Sequence, residues 1–157
     1  MRIRIMTMDD YDAVIGLMQA TDGITVRDAD SRPSIAAYLQ RNPGLSFVAE
    51  DNETRGQSPG GSFVGESLLA GCILAGHDGR RGYLNHLIVR PAHRRSGIAT
   101  ALVEHCLAGL EREGIQKFHV DVLRGNDLAG RFWNRLGWQR RDDIDRYSFT
   151  RSASGNA

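Results

Sequence analysis

Six consecutive residues, Arg94-Arg95-Ser96-Gly97-Ile98-Ala99, carry the most legible chemistry in this sequence. They follow an apolar run, Leu87-Ile88-Val89, that exits through Arg90-Pro91, and they precede residues spaced for a helix. A helix start leaves backbone N–H groups without intrahelical partners, and the helix dipole favours negative charge there. Gly97 lets a ligand approach the backbone closely, and Ala99 allows the same at the first turn. Arg94 and Arg95 add positive charge. The segment reads as a phosphate or pyrophosphate site, although a plain helix start with solvated arginines has the same residues. Neither G-x-x-x-x-G-K-[ST] nor G-x-G-x-x-G is present.

The elements that must position this segment follow from hydrophobic spacing. Residues 1–6 alternate as a strand, and Thr7 with Asp9 and Asp10 opens a helix carrying Tyr11, Val14, Ile15 and Met18 on one face. A polar loop leads to a second helix at Ser31, bearing Ile35, Tyr38 and Leu39 and stopped by Asn42-Pro43-Gly44. Residues 45–50, 67–76 and 83–89 read as strands, with a long, mobile hairpin loop over 51–66. Ile98, Leu102, Cys106 and Leu110 recur on a helix that ends near Gly114. Residues 117–122 form a strand, Asn126 caps a helix with Leu128, Phe132 and Leu136, and 138–141 and 146–151 read as two last strands. A polar tail, expected to fray, occupies 152–157. Seven strands and four helices in this order predict an α+β, three-layer domain over 1–151 with a mixed, mostly antiparallel sheet.

Composition excludes several classes. With 157 residues, 41% hydrophobic and 25% charged, the chain has globular proportions and needs no disulfide or metal to fold. Twenty basic against nineteen acidic residues give a net charge of +1, which argues against a nucleic-acid partner. No apolar run approaches a membrane span. Cys72 and Cys106 lie in apolar patterns and read as buried free thiols, consistent with a cytoplasmic protein. His77, His93 and His105 show no metal spacing, so no metal is expected.

The sequence resembles the GNAT superfamily of acyl-CoA-dependent N-acyltransferases. That family's pyrophosphate loop, [RQ]-x-x-G-x-[GA], is matched by residues 94–99. A second block, N-x-x-A-x-x-[FL]-Y-x-x-x-G-[FW], is matched by Asn126, Ala129, Phe132-Trp133 and Gly137-Trp138, with Trp133 in the tyrosine position. The resemblance implies a six- to seven-stranded sheet splayed between its fourth and fifth strands, with acetyl-CoA in the gap. It implies pantetheine contacts from the backbone of Leu87 and Val89, pyrophosphate contacts from Arg94, Arg95, Ser96, Gly97, Ile98 and Ala99, and a place for Asn126 and Trp133 beside the acyl arm. The partner would be an amine acceptor, and the protein a monomer or homodimer. A non-catalytic acyl-CoA-binding module is the alternative.

Direct attack of an amine on a thioester requires a base, a polarised carbonyl and a leaving thiolate. Strict alternation places Tyr83, Asn85, Leu87 and Val89 on one face of their strand and Leu84, His86 and Ile88 on the other. The resemblance implies a base on the first of these faces, as in some members of the family, which makes Tyr83 and Asn85 candidates for the base or for holding a water. His86 becomes a candidate only if a bulge turns it round. His119 and Asp121 should face one way on the next strand, with Asp121 a possible water anchor. Indole cannot usefully deliver a proton, so Trp133 lacks the acid function that the family's tyrosine has, and Tyr147 is a possible substitute. Asp22, Asp28 and Asp30 would suit a cationic acceptor.

Overall fold

The computed structural model describes residues 1–51 and 69–157. All but the first residue of the expected 51–66 loop lies outside the described residues. Among the described residues, five strands, β1 (Arg2–Ile5), β2 (Phe47–Glu50), β3 (Leu69–His77), β4 (Gly82–Val89) and β5 (Phe118–Val120), form one sheet in sequence order. The first four are antiparallel, and β5 pairs parallel to β4. Four helices flank it: α1 (Tyr11–Gln19), α2 (Arg32–Arg41), α3 (Ile98–Arg112) and α4 (Asp127–Arg135).

Two apolar clusters make the three layers. On one face, Val14, Leu17 and Met18 of α1 and Ile35 of α2 pack on Val48, Cys72, Leu74 and Ile88. On the other, Ile98, Leu102, Cys106 and Leu110 of α3 pack on Phe47, Ile73 and Leu84, with Trp133 of α4 beside them. The four-residue spacing on α3 thus becomes its buried stripe, each large side chain contributing about 1.5–3 kcal/mol. Both cysteines are buried and free. Burial pushes both thiols up to about 12, so neither is a ready nucleophile.

Two features differ from the sequence expectations. The alternation along β4 is broken. Cys72 lies opposite Ile88 and Leu74 opposite Asn85, so two steps along β3 match three along β4. His86, at φ +49°, takes up the extra residue. Leu84 consequently faces α3 whereas Ile88 faces α1 and α2. His86 is carried round to the α1–α2 face with Ile88, and Leu87 and Val89 pack toward α3 instead of sharing a face with Tyr83 and Asn85.

The second difference lies at the C-terminus. Residues 138–141 and 146–151 are not strands, so the described sheet has five strands rather than six or seven. Tyr147 and Phe149 are 91% and 87% exposed, and the alternation that predicts a strand finds no sheet edge here. Short-range ion pairs, Arg140 with Asp142 and Arg141 with Asp143, engage this segment's charges locally. The tail is not wholly frayed either. The Asn156 carbonyl accepts the Asp28 N–H at 3.1 Å, and its side chain meets Arg27 and Asp28.

Candidate active site

β4 and β5 are paired only from Gly82–Phe118 to Leu84–Val120. Beyond that point β4 runs on to Val89 while β5 has ended, and the two backbones part. A cleft of about 280 Å³ opens there. Its walls are Leu84, Asn85, His86 and Leu87 of β4, Val120 at the end of β5, Asp121 to Leu123 beyond it, and Asn126, Ala129 and Trp133 at the cap and on the body of α4. Gly23, Ile24 and Thr25, between α1 and α2, close one side. A hollow of about 370 Å³ on the outer side of β5, lined by Lys117, His119, Trp138 and Arg141, contains none of the residues at the α3 start.

At its far end β4 leads through a 3-10 turn (Pro91–His93) to the start of α3. Gly97 caps that helix at φ +84°, a left-handed conformation that disfavours any side chain, and the space above its α-carbon is open. The first bond into the helix runs from Ala101 N–H to Gly97 O at 3.0 Å. The N–H groups of Ile98, Ala99 and Thr100 therefore have no intrahelical acceptor. Arg95, at φ +62°, and His86 are the two non-glycine residues with positive φ among those described. Such backbone costs energy and collects at functional sites. Arg95 and Ser96 are exposed, and the Ser96 hydroxyl donates to His93 O. Arg94 is turned back, its Nε donating to Val89 O at 3.1 Å, so it braces the strand exit.

The candidate catalytic residues separate. His86 and Asn85 line the cleft; Tyr83 does not. The Tyr83 ring lies 5.8 Å from that of His119, and its hydroxyl donates to Asp78 at 3.3 Å. His86 Nε2 lies 2.9 Å from Asp30 Oδ1. Asp30 thus points into the protein, whereas Asp22 and Asp28 are exposed. Asp121 lies past the end of β5, lines the cleft and pairs with Arg146. His119 does not join it, contrary to the shared-face expectation, because the strand stops at Val120. Desolvation, with Lys117, Arg81 and Arg141 adding to it, holds the His119 ring below the ordinary imidazole range.

Asn126 performs its capping role, its side chain accepting Ala129 N–H at 3.1 Å, while also lining the cleft. Trp133 is 6% exposed and stacks near Phe132 and Trp138, so it is both packed aromatic and cleft wall. Tyr147, almost wholly exposed, is not among the residues lining the cleft. Sequence reasoning missed the Asp30–His86 pair, because nothing local links residues 56 positions apart.

Comparison with known proteins bears on what this geometry is for. An acetyltransferase of Pectobacterium atrosepticum is 33% identical over 144 residues, covering 92% of each chain. The PaiA N-acetyltransferase from Thermoplasma acidophilum, solved with coenzyme A, superposes with a TM-score of 0.71 at 17% identity, over 91% of this chain and 92% of that one. AAC(6')-Iy, solved with the bisubstrate analogue CoA-S-monomethyl-acetylneamine, gives a TM-score of 0.67 at 18% identity, over 95% and 97%. The model of the Acetyltransferase (GNAT) family matches residues 12–138, a span that holds the glycine-capped start of α3, the parted strands and the Asn126 helix. On that match and that architecture, the chain belongs to the GNAT acetyltransferase family.

Proposed function

We propose that this protein transfers the acetyl group of acetyl-CoA to a primary amine of a small molecule, peptide or protein, with both substrates in the β4–β5 cleft. One observation carries the reading: a single strand, β4, presents His86 to the cleft and leads at its end into the glycine-capped start of α3. The fit to acetyl-CoA rests on the open backbone at Gly97, the N–H groups at 98–100 and the exposed Arg95. When bound, acetyl-CoA supplies an acyl group activated as a thioester.

The rest falls to the chain. A lysine-like amine titrates near pH 10.4 and an α-amine at about 7.7–8.0, so a proton must be removed before attack. His86 accepts it at Nδ1, the ring nitrogen turned away from Asp30. Asn85, beside it in the cleft, orients the incoming amine. Trp133 walls the site and excludes water without donating a proton. No acid is needed there, since a thiol of ordinary acidity, with a pKa of about 8.5, departs as thiolate. The cytoplasm, with its acetyl-CoA and reduced thiols, is the compartment that suits this activity and the two free cysteines.

Calorimetric titration tests the binding half, with ATP as control. We expect acetyl-CoA to bind tightly and ATP weakly. Gly97→Asp, which sets a carboxylate against the pyrophosphate position, should lower acetyl-CoA affinity at least about a hundredfold, and unchanged affinity would sink the assignment. Thiol release over a panel of amines tests the catalytic half. Binding without turnover of any amine would favour an acyl-CoA-binding module, the reading that Trp133 in the tyrosine position supports.

A further inference from the structure

Asp30 is almost fully buried, its side chain 5% exposed, on a 3-10 turn (Asp28–Asp30) that leads into α2. Both carboxylate oxygens are engaged. Oδ2 accepts the Arg27 N–H at 2.8 Å, and Oδ1 faces His86 Nε2 at 2.9 Å. The turn is fixed from below as well, where the Tyr11 hydroxyl donates to Asp30 O at 3.0 Å. His86 is fixed from its own side by the bulge, and its carbonyl accepts the Cys72 thiol at 3.7 Å. Its ring, 26% exposed, spans the gap between this buried carboxylate and the cleft.

We propose that Asp30 is a positioning residue that holds His86 in the Nε2–H tautomer and so leaves the Nδ1 lone pair free to take the proton from the acceptor amine. The inference rests on the reading of His86 as the base. An ionised carboxylate only accepts hydrogen bonds, so the ring nitrogen facing it must carry the hydrogen. In a neutral imidazole the other nitrogen is then the acceptor. A backbone N–H cannot leave Oδ2, so Oδ1 has one orientation to offer, and the ring is held to it. The amine nitrogen loses its proton to Nδ1 as it bonds to the acyl carbon, and the carbon–sulfur bond breaks with its electron pair going to sulfur. His86 then returns the proton to solvent through the open side of the cleft.

Two measurements on the full chain test this. Long-range proton–nitrogen correlation spectra of histidine-labelled wild type, with His86→Gln to assign the signals, read the tautomer directly and need no substrate. We expect the neutral ring in the Nε2–H form; an Nδ1–H form overturns the proposal. Asp30→Asn, which can donate an amide hydrogen to Nε2, should shift His86 toward the Nδ1–H form. It should also lower kcat on the order of 10- to 100-fold while KM for acetyl-CoA stays within about twofold. Wild-type kcat in Asp30→Asn, with His86→Gln inactive, overturns the role of Asp30 alone. Wild-type kcat in His86→Gln overturns the base assignment, and the proposal with it.

Discussion

Asp10 ends the 3-10 turn after β1, and Asp30 ends the one before α2; each is buried, and each accepts a backbone N–H from three residues earlier, Thr7 at 2.9 Å and Arg27 at 2.8 Å. The local motif is the same. Beyond that bond the two carboxylates meet different partners. Asp10 receives the fork of Arg4 through two bonds of 2.6 and 2.8 Å, while Arg4 Nε reaches Glu50 at 2.6 Å. Asp30 meets His86. A guanidinium stays protonated at any working pH, so the first pair is a fixed brace between β1, β2 and the start of α1. An imidazole nitrogen can donate or accept a hydrogen according to its tautomer, and this ring reaches the cleft, so the second pair leads toward the candidate site. What separates the two carboxylates is the partner and where that partner leads.

The contrast can be broken by removing each partner in turn. The largest effect belongs to His86→Gln, which keeps a donor for Asp30 but removes the base. Turnover should fall on the order of 10²- to 10³-fold with acetyl-CoA affinity and folding stability nearly unchanged. Retained turnover would make the two aspartates equivalent after all.

Arg4→Met should show the reverse pattern. It leaves the buried carboxylates of Asp10 and Glu50 without their guanidinium partner, and chemical denaturation should report a loss of about 3 kcal/mol, with kcat of the folded protein intact. A drop in kcat without loss of stability would remove the distinction between brace and site.

Acid sharpens the same comparison. Burial pushes the Asp10 carboxyl up, but the hydrogen bonds from Arg4 and Thr7 outweigh it and hold it below its ordinary 3.8. The unfolded chain therefore takes up this proton first. The stability Asp10 contributes is complete above about pH 4 and is lost as pH falls through the lower folded value. Asp10→Asn should flatten that acid limb of the stability profile; an unaltered limb would mean that other carboxylates control it.

The smallest effect belongs to Asn156→Ala, which removes its side-chain bonds to Val26, Arg27 and Asp28 on the loop that carries Asp30. These groups are exposed, and the stability change should stay within about 0.5 kcal/mol with kcat unchanged. A larger effect on kcat would tie the C-terminal tail to the Asp30 side of the comparison.

Much of the site was legible where its signal is local. Gly97 announced a helix start and Asn126 announced a cap, because backbone N–H groups at helix ends need only nearby residues to define them. Asp30 was visible only as one acid in a loop, since its neighbours in sequence do not say whether it points to solvent or inward. Tyr83 and His119 looked like site residues by alternation and instead lie against each other outside the cleft.

The sequence by itself determined the elements from β1 to α4, their order and the family, because hydrophobic period, caps and the two motif blocks are properties of short stretches. The tertiary structure alone decided three things. It set the bulge that carries His86 to the cleft, which depends on how β4 registers against β3. It brought Asp30 to that histidine across 56 residues, a contact made only when the helices α1 and α2 have packed on the face to which the bulge turns His86. It left 146–151 without strand partners despite their alternation. A strand, unlike a helix, takes its hydrogen bonds from elsewhere in the chain, so its pattern states a capacity that only a neighbouring edge can fulfil.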